Sequence, residues 1–537
     1  MCGILGAIGK PFTDPRRFQL ALQLLTPRGP DQWGITRYPT PSGAELAFGH
    51  RRLAILDLAA RAKQPMARGR LLITYNGELW NFKDCRTKLR AAGCQFQTDS
   101  DTEVLLAAWE RWGAPSANNG GCLSRLEGMY AFGLWDGRYL WLVKDRWGKC
   151  PLVYYHQRGA SQRQRPLPHP FWNSIAFASE RKALQFGLCV DASCCIELNP
   201  CSFLRFDPRS GELIHGAWED KRLRFVVSGK WRGFSASRKK AAPSIGALLQ
   251  RAVQMRAISD APVCSLLSGG VDSTAIAYLA TRFMPNVTAY TAVMDKRSPD
   301  VRHAEKVAAY LKPAGLRWER VVLPDLRGQA LRDMLIEAIY RTELYVKAQV
   351  EIAVACYFLA QRIAYDGFKV VYSGEGSDEL WGSYTWTNIL RSQPREWLAA
   401  RKAGIIGQHR KNFPRCNKIF LSAGVECRLP FLDRHLIAAG LTLPYRIVAS
   451  RSHRKAVLIE AMRTLGADPA LFQRERLAFQ IGLGLRDRIR EEIDAPGVWY
   501  RKQYTTLFVD GDLSILPKTV WVWAPGRGGD GWHQVPR

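Results

Sequence analysis

One stretch near the middle of the chain restricts what it can fold into more than any other. Val263-Cys264-Ser265-Leu266-Leu267 is a short strand-like run, Ser268-Gly269-Gly270-Val271-Asp272-Ser273 follows, and Thr274 to Ala280 continues as a helix. Strand, glycine loop and helix start in this order make an anion-binding geometry. Gly269 and Gly270 carry no side chains, so backbone N–H groups can reach a phosphate, and the helix dipole favours its charge. No Gly-Lys-Ser/Thr follows, so the loop is not a Walker A motif. The run Val370 to Leu380 repeats the logic. Val370-Val371-Tyr372 is β-prone, Ser373-Gly374 is small, and three carboxylates follow, Glu375, Asp378 and Glu379. Carboxylates massed beside a phosphate site point to Mg²⁺, which takes oxygen ligands and shares them with substrate phosphates.

The start of the chain carries a nucleophile. Cys2 follows Met1 directly. Once Met1 is removed, the α-amine of Cys2, with an ordinary pKa of about 7.7–8.0, can serve as base for its own thiol. Arg28-Gly29-Pro30-Asp31 reads as a rigid turn with charges on both sides, and His50 to Asp57 as the opening of a strand that carries a cationic group. The apolar run Leu71 to Tyr75 ends in Asn76-Gly77-Glu78. An Asn amide and a Gly N–H at a strand end can point two donors at one oxygen, an oxyanion hole. Asp99-Ser100-Asp101-Thr102-Glu103 precedes the helical run Val104 to Trp109, so Asp101 also reads as an N-cap.

Taken in order, Met1-Cys2-Gly3-Ile4, Arg28 to Asp31, His50 to Asp57, Tyr75 to Glu78, Ser100 to Glu103, Gly128 to Phe132, Lys144 to Gly148 and Phe177 to Glu180 resemble the class II glutamine amidotransferase half of the asparagine synthetase family. The glycine loop resembles the pyrophosphate loop of ATP pyrophosphatases. Val370 to Leu380, Arg415 to Lys418 and Gly424 to Asp433 resemble the family's synthetase domain. Lys455 stands where the family keeps a phosphate-contacting lysine, and Arg476 with Gly482 to Gly484 resembles its late basic, glycine-rich stretch. The resemblance implies a mixed α/β and α+β chain. An αββα N-terminal-nucleophile (glutaminase) domain is expected over 1–208, a linker over 209–243, a parallel-sheet α/β ATP-pyrophosphatase domain over 244–490 and a tail without assigned role over 491–537.

The implied chemistry is glutamine hydrolysis at Cys2, ATP-dependent adenylation of aspartate, and attack on the acyl-adenylate by ammonia carried through an internal tunnel. The products are asparagine, glutamate, AMP and pyrophosphate. The resemblance gives catalysis to Cys2, Asn76, Gly77 and Glu375. It gives glutamine binding to Arg52 on the α-carboxylate, to Glu78 and Asp101 on the α-ammonium, and to Asn76. ATP falls to Leu266, Ser268, Gly269, Gly270, Asp272, Ser273, Val293, Ser373, Gly374 and Lys455, acceptor or phosphate contacts to Arg415 and Glu351, and Mg²⁺ to Asp272 and Asp378.

The acceptor surroundings depart from the family. Glu351 stands about where an Arg is usual, Gly382-Ser383-Tyr384 replaces Gly-Gly-Tyr, and Cys427 and Leu429 replace an Ala and a Val. These changes bear on the acceptor more than on the reaction type, so amidation of another carboxylic acid is the alternative. A cyclising amide-forming synthetase is a more distant one, and Cys2, Arg52, Asn76 and Asp101 argue against it. The 13 cysteines are scattered without a CxxC pair, so neither zinc nor a thioredoxin-like motif is indicated, and twelve are expected to be small buried hydrophobes. No apolar run reaches the ~18 residues of a membrane span, and the N-terminus lacks the basic flank of a signal peptide, so the cytoplasm is expected. With 77 Lys and Arg against 48 Asp and Glu the net charge is +29. That would suit nucleic acid, but the basic residues are spread along the chain, with Arg238-Lys239-Lys240 and Arg451 to Lys455 the nearest things to clusters. A basic surface favouring anionic small-molecule substrates is expected, without membrane or nucleic-acid partners and with a homodimer left open.

Overall fold

The apolar runs of the first 220 residues become short strands. These are β1 Gly3–Ile8, β2 Gln32–Pro39, β3 Glu45–Arg52, β4 Met66–Arg68, β5 Leu71–Leu79, β6 Gly128–Trp135, β7 Leu140–Lys144, β8 Val153–Gln157, β9 Ser174–Ala178, β10 Ile196–Glu197, β11 Ser202–Phe206 and β12 Leu213–Ala217. They sort into two six-stranded sheets, ordered β10-β8-β9-β1-β3-β2 and β12-β11-β7-β6-β5-β4, with antiparallel pairing throughout. The sheets stack face to face. His50 Nδ1 of β3 meets Thr74 Oγ1 of β5 at 3.0 Å. Phe177 of β9 presses on Gly6 and Gly133, where a Cβ would come within 2.2 and 2.1 Å of its ring. Helix Pro15–Gln23 buries Phe18, Ala21 and Leu22 against the first sheet, and helix Asp101–Trp112 sets Trp109 edge-on to Phe132 of the second at 5.9 Å. The layers are therefore αββα, as expected.

The computed structural model describes residues 1–157, 174–219, 237–295, 298–450, 453–473, 484–525 and 530–537. They fall into two compact units, one of Met1–Lys221, Leu421–Gly424 and Tyr504–Ser514, the other of Arg222–Phe420, Val425–Gln503 and Ile515–Arg537. In the second, β13 Val263–Leu266, β14 Thr288–Val293, β15 Arg317–Val322, β16 Val370–Tyr372 and β17 Glu426–Arg428 form one sheet in the order β15-β14-β13-β16-β17. All four pairings are parallel, and helices such as Val271–Ala280 and Lys347–Tyr365 make the crossovers. From β13 the chain builds outward to β14 and β15, then returns to build β16 and β17 on the other side. The order reverses between β13 and β16, and ligands of open α/β sheets bind outside the strand ends at such a point. Among the described residues, no helix is long and apolar enough to cross a membrane.

Two sequence expectations need correcting. His50-Arg51-Arg52 closes β3 rather than opening a strand. The stretch 209–243 is not a plain linker. Leu213–Ala217 is edge strand β12, whose order comes from the edge of β11 more than from its own short apolar pattern. Arg238 already begins helix Arg238–Met255, capped by Ser237 Oγ on the Lys240 N–H at 3.3 Å, and residues 220–236 lie outside the described ones. The segment 491–537 is also structured, with a helix Pro496–Phe508 and an antiparallel hairpin of β18 Thr519–Ala524 and β19 Gly531–Pro536.

Candidate active sites

In the first unit, Cys2 sits at the mouth of β1 and is fixed from both sides. Arg28 Nε donates to the Cys2 carbonyl at 3.0 Å. Its Nη1 pairs with the buried Glu180 at 2.8 Å, and Lys182 holds the other Glu180 oxygen at 2.6 Å. Ser179 brackets the next strand residue but one: the Ile4 N–H donates to Ser179 Oγ at 3.0 Å, and the Ser179 N–H donates back to the Ile4 carbonyl at 2.9 Å. Two motifs without an assigned role, around Arg28 and around Glu180, thus converge to hold the backbone at Cys2 and Ile4.

The Cys2 N–H donates to Asn76 Oδ1 at 2.8 Å. This settles the amide's orientation, because Oδ1 must face the N–H, and it leaves Asn76 Nδ2 buried with no hydrogen-bond partner among the described residues. Arg52 donates to the carbonyls of Asp57 (2.5 Å), Leu56 (3.0 Å) and Ala59 (3.2 Å) and to Gln32 Oε1 (2.8 Å). These acceptors are neutral, so the guanidinium keeps its charge for an anion. Asp101 Oδ2 accepts from Tyr75 OH at 3.0 Å and from the Leu79 N–H at 2.9 Å. Ser100 is the helix cap, its Oγ accepting from the Thr102 N–H at 3.1 Å, so Asp101 begins the helix rather than capping it, and it lines the pocket. Cys2, Arg52, Gly77, Glu78 and Asp101 line one pocket together with Met1, Leu53, Ile55, Leu56, Gln64, Tyr75, Ser100 and Thr102. Burial pushes the Cys2 thiol up, while the amino terminus, the Leu53 N–H and Arg52 pull it down. Burial, helped by Arg52 and the amino terminus, pushes His50 down to about 3. A neutral, buried imidazole of that kind is a poor proton acceptor.

In the second unit the loops after β13 and β16 meet. Gly269 takes φ +74°, in the left-handed region that favours glycine, and Gly270 caps helix Val271–Ala280. Ser268 donates its N–H to Ser273 Oγ at 3.1 Å. Gly374 lies so close to Asp272 that a Cβ would fall 2.8 Å from the Asp272 Cβ. Leu266, Val293 and Ser373 stand at or just beyond the C-terminal ends of β13, β14 and β16, so the expected ATP residues share one rim. Lys455 Nζ bridges Asp272 at 2.5 Å and Asp378 at 2.7 Å. Ser377 donates to the second Asp272 oxygen at 2.6 Å, and Ser383 to Asp378. Burial pushes Asp272 up, and Lys455 opposes it. Lys455 itself is held above its usual range by the two aspartates, against burial. A lone ammonium between two carboxylates marks a place that suits a cation. Among the described residues no third Asp, Glu, His or Cys joins them, a donor set that fits Mg²⁺, which leaves its other positions to phosphate and water.

Beside this rim lies a closed ring of side chains. Arg415 pairs with Glu375 and donates from Nε to Gln349 Oε1 at 2.9 Å. Gln349 donates to Asn412 Oδ1 at 2.8 Å, and Asn412 donates to the other Glu375 oxygen at 3.0 Å. Three buried thiols stand close by. Cys356 Sγ is 3.8 Å from Arg415 Nη1, and Cys416 and Cys427 are buried nearby.

Residues 1–197 match the glutamine amidotransferase domain, and residues 244–419 and 408–505 match the asparagine synthase domain. The chain belongs to the asparagine synthetase family. It is 28% identical to the glutamine-hydrolyzing asparagine synthetase of Zea mays, over 82% of this chain and 70% of that protein. To asparagine synthetase B of Escherichia coli K12 it is 28% identical over 91% of this chain and 84% of that protein. To asparagine synthetase 3 of Bacillus subtilis 168 it is 26% identical over 88% and 86%.

Against this family background one expected site residue stands apart. Glu351 is not in the ring of Arg415, Glu375, Gln349 and Asn412. It follows Gln349 by two residues on helix Lys347–Tyr365, which turns it about 200° away. It is 1% exposed, neither carboxylate oxygen has a hydrogen-bond partner among the described residues, and Lys347 Nζ comes no nearer than 3.8 Å. Burial pushes its carboxyl up, against Lys347, Arg486 and Arg490. Cys189 and Cys194 are exposed and Cys94 is half-buried, so the buried-thiol expectation fails for these. Arg451, Arg476 and Gly482 lie outside the described residues. Sequence reading missed Gln64, which accepts from the Tyr75 N–H at 2.8 Å and donates to Thr102 at 3.2 Å, and it missed Gln349, Asn412 and Ser377. No local pattern marks any of them. Ser383 did carry a signal, as a departure from Gly-Gly-Tyr.

Proposed function

We propose that this protein is a glutamine-hydrolysing asparagine synthetase that uses ATP and Mg²⁺. Glutamine enters the first pocket with its α-carboxylate on Arg52 and its α-ammonium on Asp101 and Glu78. The Cys2 amine, freed by loss of Met1, takes the thiol proton, and the thiolate attacks the carboxamide carbon. The oxyanion is met by Asn76 Nδ2 and the Gly77 N–H, ammonia leaves, and water releases glutamate from the thioester. In the second unit ATP lies on the 268–273 and 373–374 loops with Lys455 on its phosphates, and Asp272 and Asp378 would hold Mg²⁺, which neutralises phosphate charge when bound. The carboxylate of aspartate attacks the α-phosphorus and pyrophosphate leaves. Ammonia then displaces AMP, with Arg415 and Glu375 orienting the acceptor.

The observation that carries this reading is the unpartnered Nδ2 of Asn76 beside Cys2. A buried amide donor fixed by the nucleophile's own nitrogen has the form of an oxyanion donor awaiting its charge. The test is mass spectrometry of the products of purified protein with Mg²⁺-ATP, glutamine and aspartate. Asparagine is expected. Glutamate without asparagine would remove aspartate as acceptor and favour a second reading, a different carboxylic acid, for which the cluster of Cys356, Cys416 and Cys427 around Arg415 is the motive.

A further inference from the structure

The family match ends at residue 505, and the hairpin β18–β19 lies beyond it. A two-stranded hairpin is at best marginal in water on its own, so its order comes from what it rests on. It rests on helix Lys347–Tyr365. Tyr357 OH donates to the Trp521 carbonyl at 2.7 Å. Phe358 stands edge-on to Trp532 at 4.7 Å, and Arg362 lies over Trp523 at 4.8 Å. Tyr365 OH donates to Asp530 at 2.8 Å. Two more ties fasten the hairpin to the rest of the unit: Trp532 Nε1 donates to the Val322 carbonyl at 2.7 Å, and Arg537 pairs at 2.5 Å with buried Glu337, which Arg341 also holds.

The same helix carries Gln349 and Cys356 to the Arg415–Glu375 ring. At about 100° per residue, Gln349 and Cys356 point the same way within about 20°, whereas Phe358 and Arg362 lie about 180° and 220° from Gln349. One helix is therefore held on opposite faces, by the hairpin on one and by the acceptor ring on the other. We infer that the hairpin is a positioning element of the acceptor site, with Trp532 its main positioning residue. It sets the height and rotation of the helix, so that Gln349 keeps Arg415 and Glu375 oriented. This rests on the proposed function for the identity of the ring as the acceptor site. A displacement of about 1 Å at reacting groups can cost up to ~10²-fold in rate.

The experiment measures acceptor-dependent pyrophosphate release with ammonium as nitrogen source in Trp532→Ala, Trp532→Phe and the milder Tyr357→Phe, with glutaminase activity recorded on the same samples. Trp532→Ala should raise the KM for the acceptor by about 10-fold or more and leave the KM for ATP and the glutaminase rate within about twofold. Trp532→Phe, which keeps the ring contact, should restore most of the effect, and Tyr357→Phe should give a smaller rise in the same parameter. An acceptor KM unchanged in both Trp532→Ala and Tyr357→Phe, or moving in step with the ATP KM, overturns the inference. If the unaltered protein releases no pyrophosphate with any carboxylate, the functional reading fails and the hairpin is judged by hydrogen exchange. Faster exchange in Trp532→Ala across Lys347–Tyr365, with Val271–Ala280 unchanged, supports the positioning role, and equal exchange overturns it.

Discussion

Replacing Glu351 by leucine should make the protein more stable. Glu351 is 1% exposed, has no hydrogen bond to either oxygen, and has an ammonium no closer than 3.8 Å. A buried polar group left unsatisfied costs about 1–3 kcal/mol, and leucine has nearly the same volume without that cost. Lys347, the nearest cation, is about one-third exposed, so water takes over its charge when the carboxylate goes. The gain should be about 1–3 kcal/mol, or roughly 2–6 °C in Tm for a unit of this size. The pH dependence carries a definite sign. The carboxyl is pushed up in the folded protein, chiefly by burial, so its ionisation disfavours folding. The penalty is complete above the folded pKa and fades as pH falls from there to the ordinary glutamate value of about 4.3. The stability difference between Glu351→Leu and the unaltered protein should therefore be largest at neutral to alkaline pH and shrink on acidification. Differential scanning calorimetry from pH 8 to pH 5 reads both. A Glu351→Leu protein less stable at every pH would mean that Lys347, Arg486 and Arg490 need the carboxylate. A tenfold rise in acceptor KM would mean that Glu351 serves the acceptor after all.

Three other outcomes are expected. Cys2→Ala should lose glutamine hydrolysis by at least ~10³-fold, as expected when a nucleophile goes, yet keep ammonium-dependent synthesis; loss of both, in a paired product assay, would contradict the separation of the two sites. Arg28→Met should lower glutaminase kcat by about 10²-fold through a displaced Cys2 and cost somewhat less than the ~3–5 kcal/mol typical of breaking a buried ion pair, since Lys182 stays on Glu180; chemical denaturation with a glutaminase assay checks it. Asp272→Asn and Asp378→Asn should abolish acceptor-dependent pyrophosphate release and spare glutaminase, and near-normal release by both would place the metal elsewhere.

The parts of this protein that could be read from its sequence are those in which a local pattern carries the chemistry. The glycine loop at 268–270 and the carboxylates after β16 stand just past strand ends, where the local pattern put them. Cys2, Asn76 and Asp101 belong to recognisable motifs; the fold brings Cys2 and Asp101 to one pocket and sets Asn76 on the Cys2 N–H. Glu351 was misplaced because chain position was read without helical phase: two residues along a helix carry a side chain just past the opposite face. Gln64 and Gln349 were missed because their roles exist only through partners far away in sequence, Thr102 and Arg415. The hairpin was missed because its two short strands rest on a helix far away in sequence, through Trp523 and Trp532 against Arg362 and Phe358.

The contact of Phe177 with Gly6 and Gly133 makes the glutaminase chemistry a question of thickness. One aromatic ring serves as the spacer between two sheets, and the two glycines are the seats into which it is pressed. Cys2 leads directly into the strand that holds one of these seats, and Asn76 stands on the strand beside the one that holds the other. The gap between Cys2 and Asn76 is thereby tied to a clearance that a single methyl group would exceed. An alanine at Gly6 or Gly133, far from any substrate, would act like a shim driven between two plates, parting the thiol from its amide without touching either.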